Sequence, residues 1–156
     1  MDTQELLQQY DGDMYLRISH EDGDKAESDS IANQRDLITA FLEKHPEITL
    51  RKVWVDDGYT GVNFDRPDFI RMMESVRNKK TNCIIVKDFS RLGRNFIETG
   101  KYIEKIFPFM GVRFISVNDD YDSAKPRTAS DNLIVPVKNL MNDAYCRDIS
   151  IKIRSH

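Results

Sequence analysis

Four short apolar runs, separated by stretches of helical periodicity, constrain this 156-residue chain more than any other feature. Met14-Tyr15-Leu16-Arg17-Ile18 reads as a first strand and Val53-Trp54-Val55 begins a second. Cys83 to Val86 makes a third strand and Val112 to Val117 a fourth. Between the first two, Ile31, Leu37, Ile38, Phe41 and Leu42 recur near the spacing of one helix face, and Pro46 ends that helix. Asp56-Asp57-Gly58 is a turn signal. Pro67 opens a second helix, PDFIRMMESVRN, with Phe69, Ile70, Met73 and Val76 on one side. A third helix is expected from Asn95 to Met110, ended by Gly111. Such alternation predicts an α/β domain with a mostly parallel sheet flanked by helices.

The last segment differs. After a polar loop from Asp119 to Ser130, the residues Leu133, Val137, Leu140, Met141, Ala144, Tyr145, Ile149 and Ile153 lay out a long amphipathic helix with Pro136 in its first turn. The stripe runs to within three residues of the terminus with no cap, so the helix is expected to continue in the natural protein. Its apolar face suits either a partner or its own sheet. The expected division is an N-terminal extension over 1–12, a core over 13–130 and the long helix over 131–156.

Composition excludes little but bounds much. An apolar content of 40% and a charged content of 31% are ordinary for a soluble globular domain. No run of 18 apolar residues suggests a membrane span, and the polar, acidic start is no secretory signal. Cys83 and Cys146 have no metal-ligand spacing, and a reducing cytoplasm fits them. The net charge of −3 is unevenly spread: residues 1–30 carry nine acids against two bases, whereas residues 124–156 carry six bases against three acids. An acidic average argues against a nonspecific nucleic-acid binder acting alone, yet it permits a local basic cleft.

One such cleft is suggested by KDFSRLGR, Lys87 to Arg94, which follows the third strand directly. Ligands of open α/β sheets bind outside the carboxyl ends of the strands. There the first strand brings Arg17 and Ser19, the second leads through a loop to Arg66, and the third brings Lys87, Ser90, Arg91 and Arg94. Together they compose a hydroxyl nucleophile within a ring of guanidiniums. Attack on a phosphodiester gathers nearly a second negative charge on phosphorus oxygens, and fixed cations stabilise that state more than the ground state. Arginine suits the task through its planar, always-charged fork. Taken singly, the same residues read as a strand-edge arginine, a loop hydroxyl, a turn into a helix (Asp65-Arg66-Pro67) and solvated cations. His20 beside Ser19 does not make a Ser/His triad, because adjacent residues point apart and no GxSxG turn exists.

Jointly, YLRIS (Tyr15–Ser19), SIANQ (Ser30–Gln34), DDGYTGVNFDRPDF (Asp56–Phe69) and KDFSRLGRN (Lys87–Asn95) resemble the catalytic domain of the serine recombinases, the resolvase/invertase family. The resemblance spans roughly residues 13 to 154. The long DDGYTGVNFDRP loop looks more like the large serine recombinases and transposases of mobile elements than the short resolvases. It implies a site-specific DNA recombinase in which Ser19 forms a 5′-phosphoserine link to DNA. Arg17, Arg66, Arg91 and Arg94 would grip the phosphate and Gln34 would order the site. It implies no metal or other cofactor. The partners it implies are double-stranded DNA at specific sites and further copies of the chain, a dimer becoming a tetramer through the long helix. Separate DNA-binding domains would follow that helix.

Two departures stand out. Ser90 occupies a position where resolvases carry Asp, and Asp88 would face elsewhere were the backbone extended. The short resolvases also carry a Glu-Arg pair on the long helix, where the nearest run here is Cys146-Arg147-Asp148. Lys87, Ser90 and Arg147 therefore rank only as phosphate- or DNA-binding candidates. The rival reading is a flavodoxin-like phosphate-ligand module or signalling receiver. It would need a glycine-rich nucleotide turn, which is absent, or a phospho-accepting Asp, for which Asp56 and Asp57 are the candidates.

Overall fold

The structure, a computed structural model, describes residues 8–19, 30–60 and 63–125. The expected long helix over 131–156 with Arg147, most of the N-terminal extension and His20 lie outside the described residues. Within them, a five-stranded sheet has the order β2-β1-β3-β4-β5. Its strands are β1 (Tyr10–Ile18), β2 (Ile48–Asp57), β3 (Cys83–Val86), β4 (Arg113–Ser116) and β5 (Tyr121–Asp122). The first four run parallel, and β5 returns antiparallel to β4. The helices are α1 (Ile31–Glu43), α2 (Pro67–Arg77), the single turn α3 (Phe89–Leu92), α4 (Phe96–Lys101) and α5 (Phe107–Phe109).

Both faces of the sheet are covered, which is why its strands read as continuous apolar runs rather than alternations. Period two still sorts them. Met14, Leu16, Cys83, Ile85 and Ile115 join Ile38 of α1 in one cluster. Tyr15, Trp54, Ile84, Val86 and Phe114 join Phe69, Met72, Met73 and Val76 of α2, together with Ile103 and Phe107, in the other. Side-chain caps fix two of the helix starts. Ser30 caps α1 by accepting from the amide of Asn33 at 3.1 Å, and Asn95 caps α4 by accepting from Ile97 and Glu98, each at 3.1 Å.

The structure corrects the sequence reading in two places. The third long helix is not uniform: between α4 and α5 the chain makes a π-helical turn, Tyr102–Ile106, in which the Phe107 amide reaches back to the Tyr102 carbonyl. Pro108 explains it, since it lacks an N–H for the Glu104 carbonyl and its ring crowds that carbonyl. The helix ends at Gly111, whose φ of +71° suits glycine. The polar loop after β4 is also partly ordered into β5, a strand of two residues with no periodicity to betray it. After β3 the backbone coils into α3, so the extended geometry under which Asp88 would face elsewhere does not arise.

Candidate active site

The strand order reverses direction between β1 and β3, the position at which open α/β sheets form a ligand crevice at the carboxyl ends of their strands. β3 pairs with β1 only as far as Met14 and Ile85, then the chain turns away into α3. Beyond that last rung, the peptide groups of Arg17 facing β3 have no strand partner and must find other ones. Gln34, fully buried one turn into α1, supplies both: its Oε1 accepts from the Arg17 amide at 3.3 Å, and its Nε2 donates to the Arg17 carbonyl at 3.0 Å. Arg91 Nη1 donates to the same carbonyl at 2.9 Å. Gln34 thus acts as a false strand rung, and Arg91 is delivered two residues from Ser19. Ser19 follows β1 directly and is buried.

The guanidiniums of Arg17 and Arg66 are fully buried, and both turn toward α3. Arg17 donates through Nη2 to the Ser90 carbonyl at 2.5 Å, through Nε to the Arg91 carbonyl at 3.2 Å and through Nη1 to the Tyr59 carbonyl at 3.0 Å. Arg66 donates to the carbonyls of Leu92 at 2.5 Å, Arg91 at 3.3 Å and Asn63 at 3.1 Å. Its Nη1 also donates to the Tyr15 hydroxyl at 2.8 Å. A single helical turn leaves its carbonyls without intrahelical partners, and its dipole puts negative charge at that end. Two arginines from distant parts of the chain meet both demands.

Behind them lies a buried polar chain. The Tyr15 hydroxyl accepts from Arg66 and donates to Asp56 Oδ2 at 2.8 Å. The Asp56 carboxylate in turn accepts the amides of Asp68 and Phe69, each at 3.0 Å, and so caps α2 from the end of β2. Burial pushes the Tyr15 phenol above its ordinary value, with Arg66 opposing and Asp56 adding, so the hydroxyl remains a donor. Burial, followed by the charges of Arg66, Arg91 and Arg94, pulls Arg17 down to about 10, which leaves it charged at neutral pH. Arg94 is half-buried beside them, and Lys87 is buried where β3 ends, its carbonyl accepting from the Asn118 amide at 2.8 Å.

Asp88 does not face elsewhere. It is the N-cap of α3, accepting from the Arg91 amide at 3.2 Å and from the Ser90 hydroxyl, and it lies 3.7 Å from Arg91 Nε. The fold therefore gathers Arg17, Gln34, Arg66, Ser90 and Arg91 around one helical turn, with Arg94 near enough to act on Arg17 electrostatically. From sequence, Tyr15 reads only as a strand and motif residue, not as a site residue, although it lies two residues before Arg17 and so on the same strand face. Asp56 reads as part of a turn and as a candidate phospho-acceptor of the rival reading, not as a partner of Tyr15.

Gly93 ties this turn to its surroundings by close approach. A Cβ there would meet Phe64 Cζ and Thr99 Oγ1, both at 2.7 Å. Phe64 in turn stacks over the Arg66 guanidinium at 4.6 Å. Gly93→Ala is expected to destabilise the domain by about 1–3 kcal/mol through overpacking. Gly100→Ala, with nothing within 4 Å of its Cβ, is expected to be neutral or stabilising. Urea unfolding of the two variants beside the parent checks this.

An open, mostly parallel sheet with arginines clustered at the switch between β1 and β3 defines an α/β domain of the kind that takes its ligand at that edge. The family model "Resolvase, N terminal domain" matches residues 14–156, and the chain belongs to that family. It is a catalytic domain of the site-specific serine recombinases, enzymes that act on DNA. The family match decides against the receiver reading.

Solved structures agree on the fold. The N-terminal catalytic domain of TP901-1 integrase is 23% identical, with 89% of this chain and 98% of that one covered and a TM-score of 0.67. A resolvase family site-specific recombinase from Streptococcus pneumoniae is 24% identical over 93% of this chain and 92% of that one, with a TM-score of 0.61. The C-terminal catalytic domain of ISC1926 TnpA, an IS607-like serine recombinase, is 23% identical over 68% of each chain, with a TM-score of 0.56. No curated protein sequence matches the chain. Among the described residues, no helix is long and apolar enough to cross a membrane.

Proposed function

We propose that Ser19 is the nucleophile of DNA strand cleavage and that the guanidiniums gathered at the end of β1 bind the scissile phosphate. The observation that carries this reading is the convergence of Arg17, Arg66, Arg91 and Arg94 where the chain leaves β1 for Ser19. Ser19 Oγ forms a bond to phosphorus as the bond to the 3′ oxygen breaks. The serine loses a proton and the departing 3′ oxygen gains one, so the step conserves charge and leaves a 5′-phosphoserine. Attack by a 3′ hydroxyl of another strand reverses it, because the ester retains the energy of the phosphodiester. In this reading Arg91 and Arg94 hold the charge on the phosphate oxygens, where one lost donor costs roughly 100- to 1000-fold in rate. Arg17 and Arg66, whose donors reach α3 carbonyls, contribute positive potential and hold Arg91 in place.

In this reading the core over 13–130 performs the chemistry. Residues 131–156 join copies of the chain into dimers and then tetramers, and a domain joined to them reads the base sequence. Phosphate contacts alone give salt-sensitive, sequence-blind affinity. The test is covalent capture. The full-length recombinase, incubated in chelator with a duplex carrying its recombination site, is expected to leave a denaturation-resistant adduct on the 5′ end created by the break. Mass spectrometry of the digested adduct should place the phosphate on Ser19. A phosphate on any other residue, or an adduct that requires added divalent metal, overturns the assignment.

A further inference from the structure

The turn α3 carries Ser90 and Arg91, yet four residues cannot hold a helical turn by themselves. Its carbonyl end is held by Arg17 and Arg66. Its amide end is held by two carboxylates, of which only Asp88 is local. The other is Asp119, in the bend between β4 and β5. Asp119 Oδ2 accepts from the Phe89 amide at 2.8 Å, the first amide of α3, and from the Ser116 hydroxyl at 2.6 Å. The backbone zips the same two segments together: the Val117 amide donates to the Val86 carbonyl at 3.1 Å and the Asn118 amide to the Lys87 carbonyl at 2.8 Å. Asp120 closes the bend at a φ of +51°.

We propose that Asp119 is a positioning residue for the recombination site: it fixes the amide end of α3 and thereby the guanidinium of Arg91 against the carbonyl of Arg17. The clamp has opposite charges at its two ends, carboxylates at the amides and guanidiniums at the carbonyls, as the dipole of a helical turn favours. Both ends must hold, because Arg91 is three residues from Asp88 and its own carbonyl is shared by Arg17 and Arg66. Burial raises the pKa of Asp119, with the Ser116 and Phe89 hydrogen bonds opposing and Asp88 adding. Keeping a carboxylate there, beside Asp88, works against the stability of the bend and is consistent with a role in holding α3.

The catalytic half of this inference rests on the reading of Ser19 given above, so the test has two arms. In the first, amide hydrogen exchange is measured on the 156-residue chain. Asp119→Ala is expected to raise exchange about 10-fold at Phe89, Ser90, Arg91 and Gly93, the loss typical of a missing cap, with β1 and β3 unchanged. Asp119→Asn, which offers an oxygen to the same two donors, is expected to restore protection to within about 3-fold. In the second arm, adduct formation by the full-length recombinase at saturating DNA is expected to slow about 10- to 100-fold in the Ala variant, as small displacements of a positioned group do. Half-saturating DNA should be unchanged, and Asn should recover most of the rate.

Wild-type exchange at those four amides, a uniform rise across the whole sheet, or a wild-type adduct rate in the Ala variant overturns the proposal. Should the Ala variant fail to fold, Ser116→Ala, which removes one of the two bonds to the same carboxylate, is read at the same amides with the same criteria. A wild-type enzyme that yields no adduct refutes the nucleophile reading, and the exchange arm still decides the clamp.

Discussion

Ser19→Ala is expected to abolish covalent capture of DNA, lowering the rate of adduct formation by about 10,000-fold or more, the scale on which enzymes lose activity when a nucleophile is removed. Among the described residues, the hydroxyls of Ser90 and Tyr15 are both engaged elsewhere. Ser90 donates its proton to Asp88 and lies on α3, held there by the Arg17 guanidinium on its carbonyl. The Tyr15 hydroxyl is sealed between Arg66 and Asp56. The substitution deletes one oxygen and leaves the cationic cluster intact, so DNA affinity should stay within about 3-fold and stability within about 1 kcal/mol. Denaturing electrophoresis of a labelled duplex, alongside a binding isotherm and a urea titration, reads all three. An adduct that persists in the variant would assign the chemistry to another residue. Lost binding, by contrast, would mean that the serine organises the crevice rather than attacking within it.

How far such a site is legible in sequence depends on the range of the forces that build it. β3 was readable to the residue, because Cys83-Ile84-Ile85-Val86 is bounded by polar residues on both sides and must be buried on both faces. Pro67 marked the start of α2 because a missing N–H does no harm in a first turn. The motif residues were also readable, since cations at strand ends are unusual. Their destinations were not. A guanidinium suggests an anion, yet Arg17 and Arg66 are fully buried and find backbone carbonyls instead. Burial of a charge demands acceptors, and those acceptors belong to a one-turn helix too short for any periodicity to announce. Asp119 was hidden for the same reason: its partner, the Phe89 amide, lies 30 residues away and is created only when the sheet places β3 beside β4. The order of the strands, which sets the crevice between β1 and β3, is likewise a property of crossovers that no single segment encodes.

Arg66 gives the sharpest separation of scaffold from chemistry. Arg66→Leu is expected to destabilise the domain by about 3–5 kcal/mol, because it leaves buried acceptors unpaired and a buried anion poorly compensated. The acceptors are the carbonyl of Leu92 and the hydroxyl of Tyr15, while the Arg91 carbonyl keeps its bond from Arg17, and the anion is Asp56 behind that hydroxyl. Three rings also cage the cation, Phe64 at 4.6 Å, Phe69 at 5.0 Å and Tyr15 at 5.6 Å, a desolvated arrangement in which each face contact matters. For a domain of this size the loss corresponds to a fall of about 10–15 °C in Tm. Arg66→Lys keeps the charge but cannot span Tyr15, Arg91 and Leu92 from one ammonium, and it should fall about midway. Tyr15→Phe, which breaks only the link between Arg66 and Asp56, should cost about 1–2 kcal/mol. Calorimetry orders the three, and adduct rates taken well below each melting point isolate any further loss of chemistry. A stable Arg66→Leu domain with slow cleavage would make Arg66 a phosphate ligand first; an unstable one that still cleaves in the cold would make it the strut that the carbonyls of α3 require.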